Sequence, residues 1–350
     1  MIKQSKFSFL DNSGKQPLVV SYGLGVDSTA ALVGLYREGV RPDAILFADV
    51  GTEKQETYDY LPVINGWLRE VNFPEVTVVR NLPTRENKNF PPYDTLIGNC
   101  LSNGTLPSLA FGFKSCSLKW KVEPQNRWTK QWQMAIDWWE GGGKVKKIIG
   151  YDNSPNDKKR FAHAVGLEDP SYEYWYPLIE WGWDRDRCKA EITKEGLPVP
   201  PKSACIICPA TQPDEIRAFK KNYLRTIVIV EARAKPRLNA IEGLWRNGVK
   251  GTRGGQKRPG SITQFIREEG LLPSDEIDML IEKAPLELIQ NHQAFLNGLE
   301  VLDWHDFLEQ YTVEDAAEEC VPKMRNKMNV LSYSPGNCGA SQACIGCINV

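Results

Sequence analysis

Short apolar runs alternate with helix-like segments through the first half of the chain. Apolar runs that predict β-strands lie at 17–22, 43–50, 76–80 and 144–151. Helical spacing that predicts the intervening helices lies at 27–38, 55–71 and 123–140. Because strands that alternate with helices join through right-handed crossovers, this order predicts an α/β fold, a mostly parallel sheet flanked by helices. Ligands of such sheets bind beyond the carboxyl ends of the strands.

The pattern changes to consecutive helices from about residue 211. Proline and glycine interrupt this region, and they predict helix ends near Pro236, Gly270, Pro273 and Pro285. We therefore expect three parts: an α/β domain over 1–210, a mainly helical region over 211–334, and a tail over 335–350.

Composition and charge exclude several classes of protein. The 350 residues carry 43 lysines and arginines against 44 aspartates and glutamates, a net charge of −1. The whole molecule therefore has no basic field for nucleic acid, although a local basic patch stays open. No stretch approaches the roughly 18 uncharged apolar residues of a membrane-spanning helix. The segment 1–15 lacks the apolar core of a signal peptide, so we expect a cytoplasmic protein with no membrane partner.

The nine cysteines are an odd number, so they cannot all pair with one another. In a reduced compartment they are metal ligands, reactive thiols or core residues and do not form a disulfide framework. Cys188 has helical spacing and is expected in the core. The tryptophans at Trp128, Trp132 and Trp139 are expected to pack a helix against the sheet.

The most informative segment, SYGLGVDST, lies between the first predicted strand and the first predicted helix. Its polar and glycine residues are Ser21, Gly23, Gly25, Asp27, Ser28 and Thr29. Glycines let the backbone approach a ligand closely, and the amides that open the following helix point at an anion. The plainer alternative is a turn that caps a helix through Asp27. The spacing is not GxxxxGK(S/T), which disfavours an ordinary P-loop kinase or GTPase. The next strand ends in polar groups at Asp49 and Glu53.

Four segments, in order along the chain, resemble the ATP pyrophosphatases that include the phosphoadenosine phosphosulfate (PAPS) reductases. SYGLGVDSTA resembles the pyrophosphatase (PP) loop, S-x-G-x-G-x-D-S, and FADVGTEKQETYDYL resembles D-T-G-x-E-x-x-E-T with Val50 in place of threonine. IGYDNSPNDKKRF stands at the place of a G-x-R-x-x-E-S-x-x-R segment, which it keeps less well. WYPLIEWGWDRDRCKAEITKEGLPVP resembles the P-L-x-x-W segment and the short helix after it. The resemblance covers about 17–210 and is nearest in type to the enzymes of DNA phosphorothioation and to phage PAPS-reductase-like proteins.

This resemblance implies an adenine nucleotide alpha-hydrolase-like fold and roles for individual residues. ATP would be bound by Ser21, Gly23, Gly25, Asp27, Ser28, Thr29 and Glu53. The catalytic residues would be Asp27, Ser28, Asp49 and Arg160. ATP would be cut between its α and β phosphates to adenylate an acceptor oxygen. Mg²⁺ would offset the charge of the pyrophosphate, with a lysine or arginine in support. We prefer Arg160 for that support; weaker candidates, each more often a solvated surface charge, are Lys119, Lys121, Lys158 and Lys159.

Four cysteines are candidate metal ligands. Cys205 and Cys208 form a CxxC turn, which can hold a metal, form a redox dithiol or simply be buried. Cys100 and Cys116 lie upstream, and four thiols suit Zn²⁺ or a [4Fe–4S] cluster equally well. KSCSLKWKVEP and KSACIICPA resemble the cysteine segments of the reductases, which favours iron–sulfur. Because Ser115 replaces one of the usual adjacent cysteines, Cys100 would supply the fourth ligand.

Two further features leave alternatives open. The tail carries thiols at Cys338, Cys344 and Cys347, which suit a sulfur relay, a metal clip with Cys320, or no role at all. The loop 245–260, WRNGVKGTRGGQKRPG, is basic and has no acidic residue. Such loops bind backbone phosphates, and a flexible solvated turn is an equal alternative.

Three functions are consistent with the sequence. The first is an ATP pyrophosphatase that activates an acceptor for sulfur insertion, with nucleic acid as acceptor and a cysteine desulfurase or other sulfur donor as partner. DNA phosphorothioation is the first choice of reaction, and tRNA thiolation is the next. The second is a thioredoxin-dependent PAPS reductase, which would use Cys338 and no ATP, but the usual Glu-Cys-Gly ending is missing. The third is a non-catalytic nucleotide-binding protein.

Overall fold

The computed structural model describes residues 14–82, 93–113, 115–251, 257–297 and 304–312, with the backbone alone at 286, 288–296 and 304–307. In chain order the elements are β1 (Leu18–Tyr22), α1 (Val26–Arg37), β2 (Ala44–Ala48), α2 (Gln55–Glu70), β3 (Val76–Val79), α3 (Leu96–Asn103), a 3₁₀ turn (Ser108–Phe111), α4 (Ser115–Ser117), a π-helical turn (Leu118–Val122), α5 (Glu123–Thr129), α6 (Gln133–Glu140), β4 (Val145–Ile149), α7 (Pro155–Ala164), β5 (Tyr172–Trp175), α8 (Pro177–Glu180), α9 (Arg185–Lys194), α10 (Pro213–Arg217), α11 (Lys221–Ala234), a 3₁₀ turn (Lys235–Arg237), α12 (Ile262–Glu268), α13 (Ser274–Leu296) and α14 (Trp304–Thr312).

The five strands form one parallel sheet in the order β3-β2-β1-β4-β5, which confirms the predicted α/β fold. Strands β1 and β2 are almost wholly buried, as expected where helices cover both faces of a parallel sheet. The chain builds outward from β1 to β3 and then returns to place β4 on the other side of β1, with Ser21 paired to Ile149. Such a reversal opens a crevice at the carboxyl ends of β1 and β4, where ligands of these folds bind.

Alternate residues of each strand face two different cores. On one face, Val20 and Phe47 pack with helices α1, α2 and α9. On the other face, Val19 and Leu46 pack with the three tryptophans of α5, α6 and the turn between them, as predicted. The single helix predicted over 123–140 is wrong, because extended backbone at Trp132 ends α5 and starts α6.

The C-terminal helices share a core with residues before the expected boundary at 210. One apolar cluster joins α3 and the π-helical turn to α11, α12 and α13, with Leu101 and Trp120 beside Ile227 and Phe265. The chain divides into two compact units, 1–318 and 319–350. The second unit, which contains the predicted tail over 335–350, lies outside the described residues. The helix end predicted at Pro285 is wrong: α13 continues through it, because packing against α11 outweighs the hydrogen bond that proline loses.

Glu231, on α11, holds the helical region together through a buried carboxylate. Its oxygens accept hydrogen bonds from the backbone N–H groups of Leu244 (2.7 Å), Ile262 (3.0 Å) and Thr263 (2.8 Å) and from the Ser261 hydroxyl (2.6 Å). Three of these four donors lie at the start of α12, where the helix dipole also favours a negative charge. The carboxylate therefore caps α12 from a neighbouring helix.

Replacing Glu231 with alanine is expected to lower the free energy of unfolding by about 3–5 kcal/mol, because it leaves buried N–H groups without acceptors. Urea unfolding followed by circular dichroism measures the change. Alanine at the exposed Glu282 of α13 is the matched control and should change the stability by less than about 0.5 kcal/mol. A loss below about 1 kcal/mol for Glu231→Ala would contradict the capping role.

None of the helices in the described part of the chain is long and apolar enough to cross a membrane.

Candidate functional site

The loop from Gly23 to Gly25 joins β1 to α1 at the carboxyl edge of the sheet. Leu24 has left-handed backbone (φ 54°) and a completely buried side chain, so its packing holds the loop in a strained conformation. The Ser28 hydroxyl accepts from the N–H of Gly23 and donates to the carbonyl of Gly25, both at 3.2 Å. The loop is thus folded back onto the first turn of α1, whose opening N–H groups are suited to an anion.

Two glycines let other segments approach this loop. A Cβ atom at Gly25 would lie 2.9 Å from the Ser203 hydroxyl, and one at Gly150 would lie 3.0 Å from the backbone of Ser28. The Ser203 segment leads directly into the CxxC turn, and Gly150 follows β4. The loop, the β4 end and the cysteine turn therefore meet at one place.

Three carboxylates gather beside the loop: Asp27 on α1, Asp152 after β4 and Asp157 on α7. One oxygen from each lies within 4.8 Å of the others. The Arg185 guanidinium donates to Oδ2 of Asp27, whereas the buried Oδ1 has no hydrogen-bond partner. Burial raises the pKa of Asp27, and Asp152 and Asp157 raise it further while Arg185 opposes them. Three carboxylates outnumber the two arginines that pair with them, Arg185 and Arg160, so the cluster keeps a net negative charge and can hold a divalent cation.

The other two carboxylates of this cluster accept hydrogen bonds from residues close to them in sequence. Asp152 accepts from the N–H of Ser154 at 2.9 Å, and Asp157 accepts from Arg160 at 2.9 Å. Arg160 is 61% exposed and stands one helical turn from Asp157 on the same helix. Its role as a phosphate ligand stays a prediction.

Asp49, predicted to be catalytic, is fully engaged inside the fold. It accepts hydrogen bonds from Arg80 (Nε at 2.8 Å), Tyr58 (2.7 Å) and the N–H of Gly51 (2.8 Å) and is 1% exposed. Burial raises the pKa of Tyr58, and the neighbouring Asp49 raises it further, so the phenol stays a donor. Asp49 therefore fixes the turn after β2 and presents no free oxygen to a ligand.

Two predicted hydroxyl donors also bond within the protein. The Ser21 hydroxyl donates to Gln125 of α5 at 2.7 Å, while Thr29 is completely buried and shares a hydrogen bond with Tyr22 at 2.9 Å. Thr29 faces the core below the loop, so we correct its assignment as a nucleotide ligand to a structural role. Ser21 is partly exposed and remains at the sheet edge.

Glu53 lies beside the cysteine turn. It forms an isolated β-bridge with Cys205, and its carboxylate accepts from Lys121 at 3.0 Å. Burial opposes the charge on Lys121, but Glu53 and the cysteines around it raise its pKa, so the ammonium persists. The second oxygen of Glu53 is buried without a partner. Glu53 is 3% exposed, which places it beneath the cysteines and not at an open nucleotide pocket.

The four predicted ligand cysteines are free thiols brought together from three segments. Burial raises the pKa of Cys100, and the nearby Cys205 and Cys116 raise it further. Burial likewise raises the pKa of Cys208, with Cys116 as a further neighbour. Cys188 lies apart from them, buried on α9 as predicted.

The spacing of the four sulfurs bears on the choice of metal. A tetrahedral zinc site with Zn–S bonds of ~2.3 Å holds its sulfurs about 3.8 Å apart. Among the described residues, the three carboxylates of the acidic cluster have ligand atoms that all lie within 4.8 Å of one another. No three of the cysteine sulfurs in the described part of the chain lie that close together. Zn²⁺ and a [4Fe–4S] cluster both stay predictions for these four cysteines.

The basic loop is partly a packed structure. Trp245 is buried and donates to the carbonyl of Thr211 at 2.7 Å, and the Arg258 guanidinium lies 4.5 Å above its ring. Val249 and Arg258 form an antiparallel bridge, which leaves Lys250 and Lys257 exposed beyond it. The loop residues 252–256 lie outside the described residues. The other candidate cations, Lys119 on the π-helical turn and Lys158 and Lys159 on α7, are exposed and do not join the acidic cluster.

No protein-family model and no curated protein matches the chain.

Proposed function

We propose that this protein is an ATP pyrophosphatase that adenylates an acceptor for sulfur insertion. The observation that carries the proposal is the acidic cluster around Asp27, with its unpartnered Oδ1, at the start of a helix that follows a glycine loop. A helix start attracts phosphate, whereas three adjacent carboxylates repel it. The two features fit one ligand when a divalent cation lies between the carboxylates and the phosphates, as it does for a metal-bound nucleotide.

Mg²⁺ fits the donor set of this cluster. It prefers carboxylate oxygens and keeps several waters, so one or two of the three carboxylates together with phosphate oxygens suffice. The residues that would hold it are Asp27, Asp152 and Asp157, and the unpartnered oxygen of Asp27 is the first ligand. When bound, it would offset charge on the departing pyrophosphate.

The chain's own groups account for phosphate binding. The N–H groups at the start of α1 face the phosphates, and the Ser28 hydroxyl keeps the loop closed around them. The acceptor oxygen attacks the α-phosphorus of ATP, the bond to the β,γ-pyrophosphate breaks, and an adenylate forms. A sulfur nucleophile then displaces AMP from the activated acceptor, so the acceptor exchanges oxygen for sulfur.

The four cysteines fit a [4Fe–4S] cluster by their number and by the charge beside them. Each ligand thiol would release its proton to solvent on binding the metal, and Lys121 supplies a positive charge beside Cys205 that favours the thiolate. A cluster held here would give the site a sulfur-binding redox centre. Because Ser203 contacts Gly25 two residues before Cys205, the cluster would lie next to the nucleotide loop.

Nucleic acid is the acceptor that the surface charges favour, with DNA preferred. The exposed Arg246, Lys250 and Lys257 line one side of the Val249–Arg258 bridge. A Cβ at Gly112 would lie 2.9 Å from the Arg246 guanidinium, which places this basic strip near the segment that carries Cys116. Phosphate backbones bind such strips in a salt-dependent manner.

Pyrophosphate release tests the proposal. Anaerobically purified protein is supplied with ATP and Mg²⁺ alone, with DNA, with tRNA, and separately with PAPS and reduced thioredoxin. We expect release that rises with nucleic acid, most strongly with DNA. Sulfite from PAPS without any pyrophosphate release would instead identify a reductase, and ATP binding without turnover in every mixture would favour a non-catalytic nucleotide-binding protein.

A further inference from the structure

Arg185 is the only arginine or lysine of the described chain that the structure pairs with the loop carboxylate Asp27. It is the first residue of α9, 158 positions along the chain from Asp27, and nothing in the sequence pattern singles it out. Its side chain is 40% exposed, so it lies at the open side of the site. This places a phosphate-binding type of side chain directly beside the glycine loop.

The backbone around Arg185 is held in place from both sides. Asp184 caps α9 by accepting from the N–H of Arg187 at 2.9 Å, and the carbonyl of Trp183 accepts from the N–H of Asn153 at 2.7 Å. Further along α9, Glu191 pairs with Arg37 of α1. With the helix fixed at both ends, the side chain of Arg185 is free to turn while its backbone stays in place.

The charges around Asp27 define what Arg185 does in the absence of ligand. Three carboxylates share two arginines, Arg185 and Arg160, and one oxygen of Asp27 has no partner. A divalent cation bound to Asp27 would repel a guanidinium on the same carboxylate. The guanidinium then has anionic phosphate oxygens within reach, and its planar fork binds them with two hydrogen bonds.

We infer that Arg185 binds the β,γ-phosphates of the nucleotide. Before the metal-bound nucleotide enters, Arg185 pairs with the Asp27 carboxylate at the position that the divalent cation then takes. The inference rests on the proposed function. Arg160 is less suited to this part, because it is more exposed and pairs with Asp157 on its own helix.

The test uses calorimetric binding of ATP with Mg²⁺, inorganic pyrophosphate with Mg²⁺, and AMP. Arg185→Met should bind ATP and pyrophosphate about 10- to 100-fold more weakly, with AMP affinity within about threefold of wild type. Arg185→Lys, which keeps the charge and loses the fork, should lie between. Arg187→Met is the matched control, since Arg187 lies on the same helix and pairs with Glu191, and its affinities should equal those of wild type.

Metal affinity in the absence of nucleotide gives a second test, in which Arg185→Met is expected to bind more tightly and not more weakly. Mn²⁺ titration followed by electron paramagnetic resonance should show several-fold tighter binding to Arg185→Met, because the competing guanidinium is gone. A general disturbance of the fold would weaken both metal and nucleotide binding, so this pattern would overturn the inference, as would unchanged ATP affinity. Failure of the wild-type protein to bind ATP or pyrophosphate would instead overturn the proposed function itself.

Discussion

Replacing Asp27 with asparagine is expected to lower the rate of pyrophosphate release from ATP by about 10³-fold or more. The substitution removes the carboxylate whose unpartnered oxygen is the proposed first ligand for Mg²⁺ and leaves the phosphate loop otherwise unchanged in shape. Two neighbouring carboxylates remain, but neither sits on α1 next to the phosphates. A continuous assay for pyrophosphate measures the effect.

The same variant is expected to be at least as stable as wild type, which separates loss of function from loss of fold. Burial raises the pKa of Asp27, so the folded state holds this proton more tightly than the unfolded chain does. Above the raised pKa, ionisation of Asp27 therefore costs stability relative to the unfolded chain, and a neutral side chain avoids that cost. Asp186→Asn, at a position whose side chain is 93% exposed, is the control for both measurements. Unimpaired turnover by Asp27→Asn would refute the metal assignment.

The strands and helices of the sheet could be predicted because their residues alternate between buried runs and helical spacing. The runs at 17–22, 43–50, 76–80 and 144–151 each contain a strand of the structure. Strand β5 (Tyr172–Trp175) was missed, because its sequence YEYW has a charged residue and no aliphatic run. A short edge strand of aromatic residues takes its conformation from its neighbour, here β4.

The candidate site was predicted only where it is continuous in sequence. The loop around Asp27 has a local signature, and so does the CxxC turn. Asp152 and Asp157 lie close to Asp27 because β4 lies beside β1 in the sheet. The order of strands in a sheet cannot be predicted from any single segment of the sequence. The only hint was a cluster of polar residues, DNSPND, directly after a strand, where ligands of parallel sheets bind.

The hydrogen-bond partners of Asp49 and Glu53 could not be predicted from the motif that contains these two residues. The motif lies in the turn after β2, where both carboxylate oxygens of Asp49 accept hydrogen bonds, from Arg80, Tyr58 and Gly51. Glu53 likewise supports Lys121 and Cys205. A motif specifies where the chain turns, whereas hydrogen-bond partners from distant segments decide which side chains stay free.

Replacing both Cys205 and Cys208 with serine is expected to remove all bound iron and the brown colour of anaerobically purified protein. Serine is a poor ligand for iron–sulfur clusters, and two of four ligands would be lost. Iron and sulfide analysis of the wild type should give about four of each per chain. Cys188→Ser is the control, because Cys188 is buried on α9 away from the four thiols and its loss should leave the iron content unchanged.

The double cysteine variant also separates the two halves of the site. The glycine loop is closed by the hydrogen bonds of Ser28 with Gly23 and Gly25, and the acidic cluster lies on α1, after β4 and on α7. ATP binding should therefore persist in Cys205→Ser/Cys208→Ser, while sulfur transfer to the acceptor is lost. A colourless wild-type protein with about one zinc per chain would contradict the cluster and leave the four cysteines a structural role.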